Sequence, residues 1–141
     1  MRYLGIDYGT KKIGLALSDE AGKMGFPHSV VQNDAQLLET LTALIEKERV
    51  GAIVVGESMD FSGKENAAGV AGRAFAQALA ARTNIPLHHE PETFTTQAAR
   101  RYPDGTRMKG SPDVDASAAA LILTSYFGRT NPVNDDDHDN Y

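Results

Sequence analysis

Asp7 closes the first apolar run of the chain, inside Gly5-Ile6-Asp7-Tyr8-Gly9-Thr10. A carboxylate ending an otherwise apolar strand must project into solvent or into a site, because burying it unpaired is costly. The competing role is that of a turn-forming aspartate ahead of Gly9. Two further acids, Glu90 and Glu92, follow a late strand and share one face if the chain stays extended through Pro91. Asp115 falls in the first turn of the last helix, where the macrodipole favours an acid on structural grounds alone. Asp113 is rotated about 200° from it on the same helix, so the two cannot point at one site. The combination carries more than its parts: an acid at the tip of the first strand, one after a late strand and one opening the last helix. Three carboxylates gathered at one end of a sheet repel one another unless a hard cation neutralises them, and oxygen-only ligands suit Mg²⁺ or Mn²⁺. Such a cluster suits two-metal hydrolysis of a phosphodiester. His28, His88, His89 and His138 have no zinc-binding spacing beyond an adjacent pair, whose rings would point to opposite faces of a strand, and they read as non-ligands.

The elements that must hold these acids are legible from periodicity. Arg2–Asp7, Ile13–Ser18 and Gly25–Val31 read as three strands joined by turns, an antiparallel meander. Asn33 offers a helix N-cap with Gln36 three residues on, and Leu37, Leu38, Leu41, Leu44 and Ile45 form one face of a helix running to about Arg49. Ala52–Gly56 is a continuous apolar run suited to a central strand covered on both faces. Glu57 to Gly63 reads as a polar loop, and Glu65 to about Arg82 as an alanine-rich helix with Val70, Ala74, Phe75, Ala78 and Leu79 available for burial. Pro86–Glu90 is a short fifth strand, Thr95–Tyr102 a short helix, and Pro103–Pro112 a glycine- and proline-bearing loop. The last helix begins near Ser111-Pro112 and runs to Gly128. This order predicts an α/β fold with a mixed five-stranded sheet, antiparallel at one side and extended by parallel strands through helical crossovers. Function belongs at the carboxyl ends of the parallel strands.

The chain has 141 residues, 41% hydrophobic and 23% charged, which suits one soluble domain over residues 1–130. No signal-length or membrane-length apolar run occurs, so a soluble protein of the cytoplasm is expected. Cysteine is absent, which excludes disulfides, thiolate metal sites and cysteine nucleophiles. The net charge is −5, but four aspartates, Asp135, Asp136, Asp137 and Asp139, lie in the last seven residues. Residues 131–141 therefore read as an acidic disordered tail, and the overall acidity does not veto a nucleic-acid partner. Cations are dense only at Lys11-Lys12 and across Arg100, Arg101, Arg107 and Lys109. These flank the acids in sequence and would draw a phosphate backbone toward an otherwise repulsive centre; the plainer reading is a solvated face.

Four ordered segments, Gly5-Ile6-Asp7-Tyr8-Gly9-Thr10-Lys11-Lys12-Ile13-Gly14-Leu15-Ala16, Val54-Val55-Gly56, Glu92-Thr93-Phe94-Thr95-Thr96-Gln97-Ala98 and Val114 to Leu123, together resemble the bacterial YqgF family. The resemblance covers nearly all of residues 1–128 and implies an RNase H-like fold. The family was long labelled a Holliday junction resolvase, and its assigned role is now usually maturation of the 5′ end of pre-16S rRNA. By this match Asp7, Glu92 and Asp115 are the catalytic acids and act as ligands to Mg²⁺ or Mn²⁺. Precursor rRNA or branched DNA is the implied partner. Two departures stand out. The family's segment around its glutamate reads Asp-Glu-Arg-hydrophobic-Thr-Thr, and here Pro91 and Thr93 replace the acid and the arginine. After Gly56 a hydrophobic residue and proline give way to Glu57-Ser58, where Glu57 either adds a carboxylate near the metal or, as the preferred reading, sits in the loop. Loss of the arginine removes a candidate phosphate contact. A catalytically weak nucleic-acid-binding module is therefore one alternative to the rRNA nuclease, and a DNA junction resolvase, the family's earlier label, is another. The first segment also resembles the phosphate loop of actin-like ATPases and sugar kinases, but those need a second domain for which this chain is too short.

Overall fold

The computed structural model describes residues 1–57, 67–91 and 112–130. Strands β1 (Arg2–Tyr8), β2 (Lys12–Ser18) and β3 (Gly25–Gln32) are followed by helix α1 (Leu37–Glu48) and strand β4 (Val50–Glu57). Helix α2 (Ala67–Thr83), strand β5 (Leu87–Pro91) and helix α3 (Pro112–Thr130) complete the order. The sheet runs β3-β2-β1-β4-β5. The β1–β2 and β2–β3 pairs are antiparallel, whereas β4 is parallel to both β1 and β5. This is the mixed five-stranded sheet expected from the pattern. The expected helix at 95–102, the loop at 103–112 and the acidic tail lie outside the described residues. None of the described helices is long and apolar enough to cross a membrane.

Alternation along the strands sorts side chains onto two faces. Leu4 and Ile6 of β1, Ile13 and Leu15 of β2, and Ile53 and Val55 of β4 pack against Leu37, Leu41 and Ile45 of α1 and Ala76 and Leu79 of α2. On the other face Ala16 and Val54 meet Ala119, Ile122, Leu123 and Phe127 of α3. That second face is paved with small residues. A Cβ on Gly5 would lie 2.9 Å from the Ala119 carbonyl oxygen, and one on Gly25 would lie 2.9 Å from that of Ala120. Helix α3 therefore rests on the sheet at backbone distance, with Ala118 and Ala119 fully buried.

Three local expectations are corrected. Asn33 does not cap α1: the helix starts at Leu37, its N-cap position is Gln36, and no side chain caps it. Asp34 instead accepts from the Gln36 backbone N–H at 3.0 Å, a short local turn that competes with earlier helix initiation. In α2 the buried positions include Gly69, Gly72, Ala76 and Leu79, with Val70, Ala74 and Ala78 exposed. An alanine-rich helix has little contrast between its faces, and the close approach of Gly72 to the Tyr8 ring decides its rotation. Gly128 does not end α3, which continues to Thr130; a glycine is tolerated within a helix at modest cost.

Candidate active site

Asp7 is the sixth residue of β1 and sits directly opposite Gly14 of β2. Residues opposite each other in an antiparallel pair project to the same face, with Cα atoms about 4.5–5.5 Å apart. A Cβ on Gly14 would lie 2.1 Å from the Asp115 carbonyl oxygen and 3.1 Å from the Asp115 Cβ. The outward direction of Gly14 thus leads straight into the first turn of α3, and Asp7 faces the same way. The neighbours on β1 agree, since Gly5 abuts Ala119 and Leu123, and the Tyr3 ring packs edge-on against Phe127 at 5.1 Å. Two acidic residues that are 108 apart in sequence thus lie against neighbouring positions of the sheet, where β2 carries no side chain. Asp7 is only 5% exposed, and Asp115 is half-buried.

The two lysines flank this point. Lys12 opens β2 two residues before Gly14, hence on the Asp7 face, and Lys11 sits in the turn; both are exposed. Glu92, Arg100, Arg101, Arg107 and Lys109 lie outside the described residues. Among the described residues no group of three His, Cys, Asp or Glu side chains is placed to hold a metal ion. Asp7 and Asp115 have the oxygen chemistry a hard divalent cation requires but are too few to hold one by themselves.

The other acids considered in the sequence have separate tasks. Glu90 is 3% exposed. Its Oε1 accepts from Arg129 Nε at 3.0 Å and Nη2 at 2.6 Å, and its Oε2 from the Ser125 hydroxyl at 2.8 Å. This clamps β5 to the last turns of α3. The bond to Glu90 raises the Arg129 pKa, and burial, with Tyr3 nearby, pushes the Tyr126 phenol above its ordinary value. The clamp left a trace in the sequence, because Ser125 and Arg129 stand four apart on one helix face and Glu90 is an acid closing an expected strand. Glu57 is not a loop residue: it ends β4, and its Oε2 lies 3.5 Å from His89 Nδ1. His89 pairs with Val55, whose side chain belongs to the α1/α2 face, so Glu57 points away from Asp7. His88 stacks near Tyr126 at 5.2 Å on the α3 face. The adjacent histidines thus diverge.

A cleft of about 430 Å³ opens at the far end of β1 from Asp7, lined by Met1, Arg2, Glu20, Lys47, Glu48 and Arg49. Arg2 pairs there with Glu48 at 2.9 Å and approaches Glu20 at 3.8 Å, so its charge is already engaged. It plays no part in the carboxylate site.

Comparisons with known proteins agree with this architecture. A family model described as "RuvX: Holliday junction resolvase" matches residues 1–129. A protein of Anaplasma marginale named "Putative pre-16S rRNA nuclease" is 39% identical over 127 residues, covering 86% of this chain and 81% of its own length. One of the same name from Maridesulfovibrio salexigens is 31% identical over 134 residues, covering 92% and 99%. Among solved structures, Thermus thermophilus RuvC matches with a TM-score of 0.60 at 17% identity, covering 94% of this chain and 97% of its own. The fowlpox virus Holliday junction resolvase matches with a TM-score of 0.53 at 11% identity, covering 92% and 99%. These two likenesses speak to the fold, which is RuvC-like and of the RNase H class. With a family model spanning all but the tail and relatives above 30% identity over most of their length, this chain belongs to the RuvX (YqgF) family, and its class is that of a nuclease, a hydrolase acting on nucleic acid.

Proposed function

We propose that this chain is a metal-dependent endonuclease that hydrolyses phosphodiester bonds in structured nucleic acid, with the 5′ end of precursor 16S rRNA as its substrate and cytoplasmic ribosome biogenesis as its setting. The observation that carries this reading is the seat of Asp115 against Gly14, the residue opposite Asp7, which sets two acidic residues at the carboxyl end of β1. In this reading Asp7, Glu92 and Asp115 are the catalytic acids and hold Mg²⁺ or Mn²⁺. Glu92 follows Glu90 by two residues in sequence, and the clamp on Glu90 anchors the strand that precedes it. A divalent ion held there supplies a lowered water pKa and stabilisation of charge on the leaving oxygen. The chain's own residues set Asp7 on the face that α3 covers and Asp115 against it, and offer cations beside them: Lys11 and Lys12, joined in the proposal by Arg100, Arg101, Arg107 and Lys109. With no cysteine and no serine–histidine pairing in the sequence, a covalent nucleophile has no candidate, and direct displacement by water is the expected course.

The test incubates the purified protein with precursor rRNA and with a four-way DNA junction, each with Mn²⁺, Mg²⁺ or chelator, followed by end-group analysis. Expected are metal-dependent cleavage of the RNA with 5′-phosphate and 3′-hydroxyl ends, and loss of both cleavage and calorimetric Mn²⁺ binding in Asp7→Asn. A cyclic phosphate, or full activity in chelator, overturns the mechanism. Preferential cutting of the junction overturns the choice of substrate. Thr93→Arg, which restores the family's arginine, raises the rate if that contact limits turnover.

A further inference from the structure

We infer that Asn33 is a positioning residue that holds the β1–β2 turn in the conformation that presents Lys11, beside Lys12, to a phosphate backbone. The turn is the segment Gly9-Thr10-Lys11 between Tyr8 and Lys12. It projects beyond the sheet at the end where Asp7 lies. With Thr10 and Lys11 exposed and Gly9 half-buried, the turn's backbone is held chiefly by hydrogen bonds. Strand β3 runs past it: Gln32 pairs with Lys12, and the next residue, Asn33, reaches the turn twice. Its side-chain Nδ2 donates to the Gly9 carbonyl at 2.9 Å, and its backbone N–H donates to the Lys11 carbonyl at 2.9 Å. Together these bonds grip the turn at its first and last residues.

The turn is already tight, since a Cβ on Gly9 would lie 2.5 Å from the Lys12 carbonyl oxygen. Closure alone fixes where the strands join. The Asn33 bonds tie the turn to the β3 edge and so set where the Lys11 stem starts, beside Lys12, whose own backbone is held by its pairing with Gln32. Lysine ammonium groups on flexible stems contact phosphates as point charges, so the reach of the pair depends on where the backbone sets its origin. An asparagine suits this position because its amide donates while carrying no charge of its own beside the cations. The task was hidden in the sequence by a plausible alternative, the helix N-cap, which the structure rules out for this residue.

The inference rests on Lys11 and Lys12 contacting the substrate, and the experiment separates the two ideas. Binding of a labelled stem-loop RNA carrying precursor 16S sequence is measured over a range of salt for the wild type, Asn33→Ala, the Lys11→Ala/Lys12→Ala pair and the triple variant. Each phosphate contact contributes about 0.7–0.9 to the slope of log affinity against log salt. The lysine pair is expected to lower the slope by about 1.5. Asn33→Ala, which alters no charge, is expected to lower it by about one, and to lower it no further in the lysine-free background. Simple loss of stability leaves the slope of the folded protein unchanged. An unchanged slope in Asn33→Ala beside a lowered one in the lysine pair overturns the positioning role. An unchanged slope in the lysine pair overturns the substrate contact on which it rests. Asn33→Ser, whose hydroxyl is too short to reach Gly9, gives the same comparison if the alanine variant does not fold.

Discussion

Gly14→Ala tests the seat of Asp115 most directly. The added methyl would lie 2.1 Å from the Asp115 carbonyl oxygen and 2.5 Å from its carbonyl carbon, both backbone atoms that cannot rotate away. Restoring ordinary contact requires the first turn of α3 to retreat from β2 by roughly 1 Å. Overpacking of this kind typically costs 1–3 kcal/mol, and a rigid backbone neighbour puts this site at about 3 kcal/mol. A domain with roughly 5–15 kcal/mol of stability remains folded after that loss. Its effect on chemistry is larger, because a misplacement of about 1 Å in a reacting constellation can lower the rate about a hundredfold. The assay pairs urea unfolding with single-turnover cleavage of precursor RNA. Gly128→Ala on the same helix is the control, since nothing lies within 4 Å of a Cβ there. It should gain about 0.5–1 kcal/mol and leave the rate unchanged. An unfolding midpoint for Gly14→Ala equal to the wild type would refute the close approach of α3 to β2. A lowered midpoint with an unaltered rate would instead remove Asp115 from the site.

Ser125→Ala takes one donor from the buried Glu90 carboxylate and should cost about 1.5–3 kcal/mol in urea unfolding, whereas Thr124→Ala on the exposed side should be neutral. Gly22 has φ +72°, and its Cβ would lie 3.0 Å from the Met1 carbonyl oxygen, so Gly22→Ala should lower stability by about 1–2 kcal/mol. Backbone N–H groups of Lys23 and Met24 donate to Asp19 and hold its pKa below the ordinary 3.8. The folded value being the lower one, this stabilisation is present above the unfolded pKa and is lost as the pH falls through the folded pKa. Asp19→Asn should therefore lower the Tm at neutral pH, with the gap to wild type closing in acid; a gap that widens below about pH 4 would contradict the assignment.

The strands and the first helix were legible because their signal is local. Apolar residues at two-residue and three-to-four-residue spacing report which side of an element is buried, and Leu37, Leu41 and Ile45 lie inward as their spacing requires. The continuous run Ala52–Val55 is buried throughout, as a strand covered on both faces must be. Asp7 stood out for the same reason, as a charge at the end of an apolar run. What periodicity cannot report is the partner, because burial says that a face is covered and not by what. Only the tertiary structure decided that Gly14 is the seat of Asp115, that Glu90 serves a clamp with Ser125 and Arg129, and that Asn33 grips a turn 24 residues behind it. Each of these joins segments distant in sequence through a missing side chain or one or two hydrogen bonds, features with no periodic trace. In α2 even the local signal fails, since alanines on every side leave its rotation to the contact between Gly72 and Tyr8.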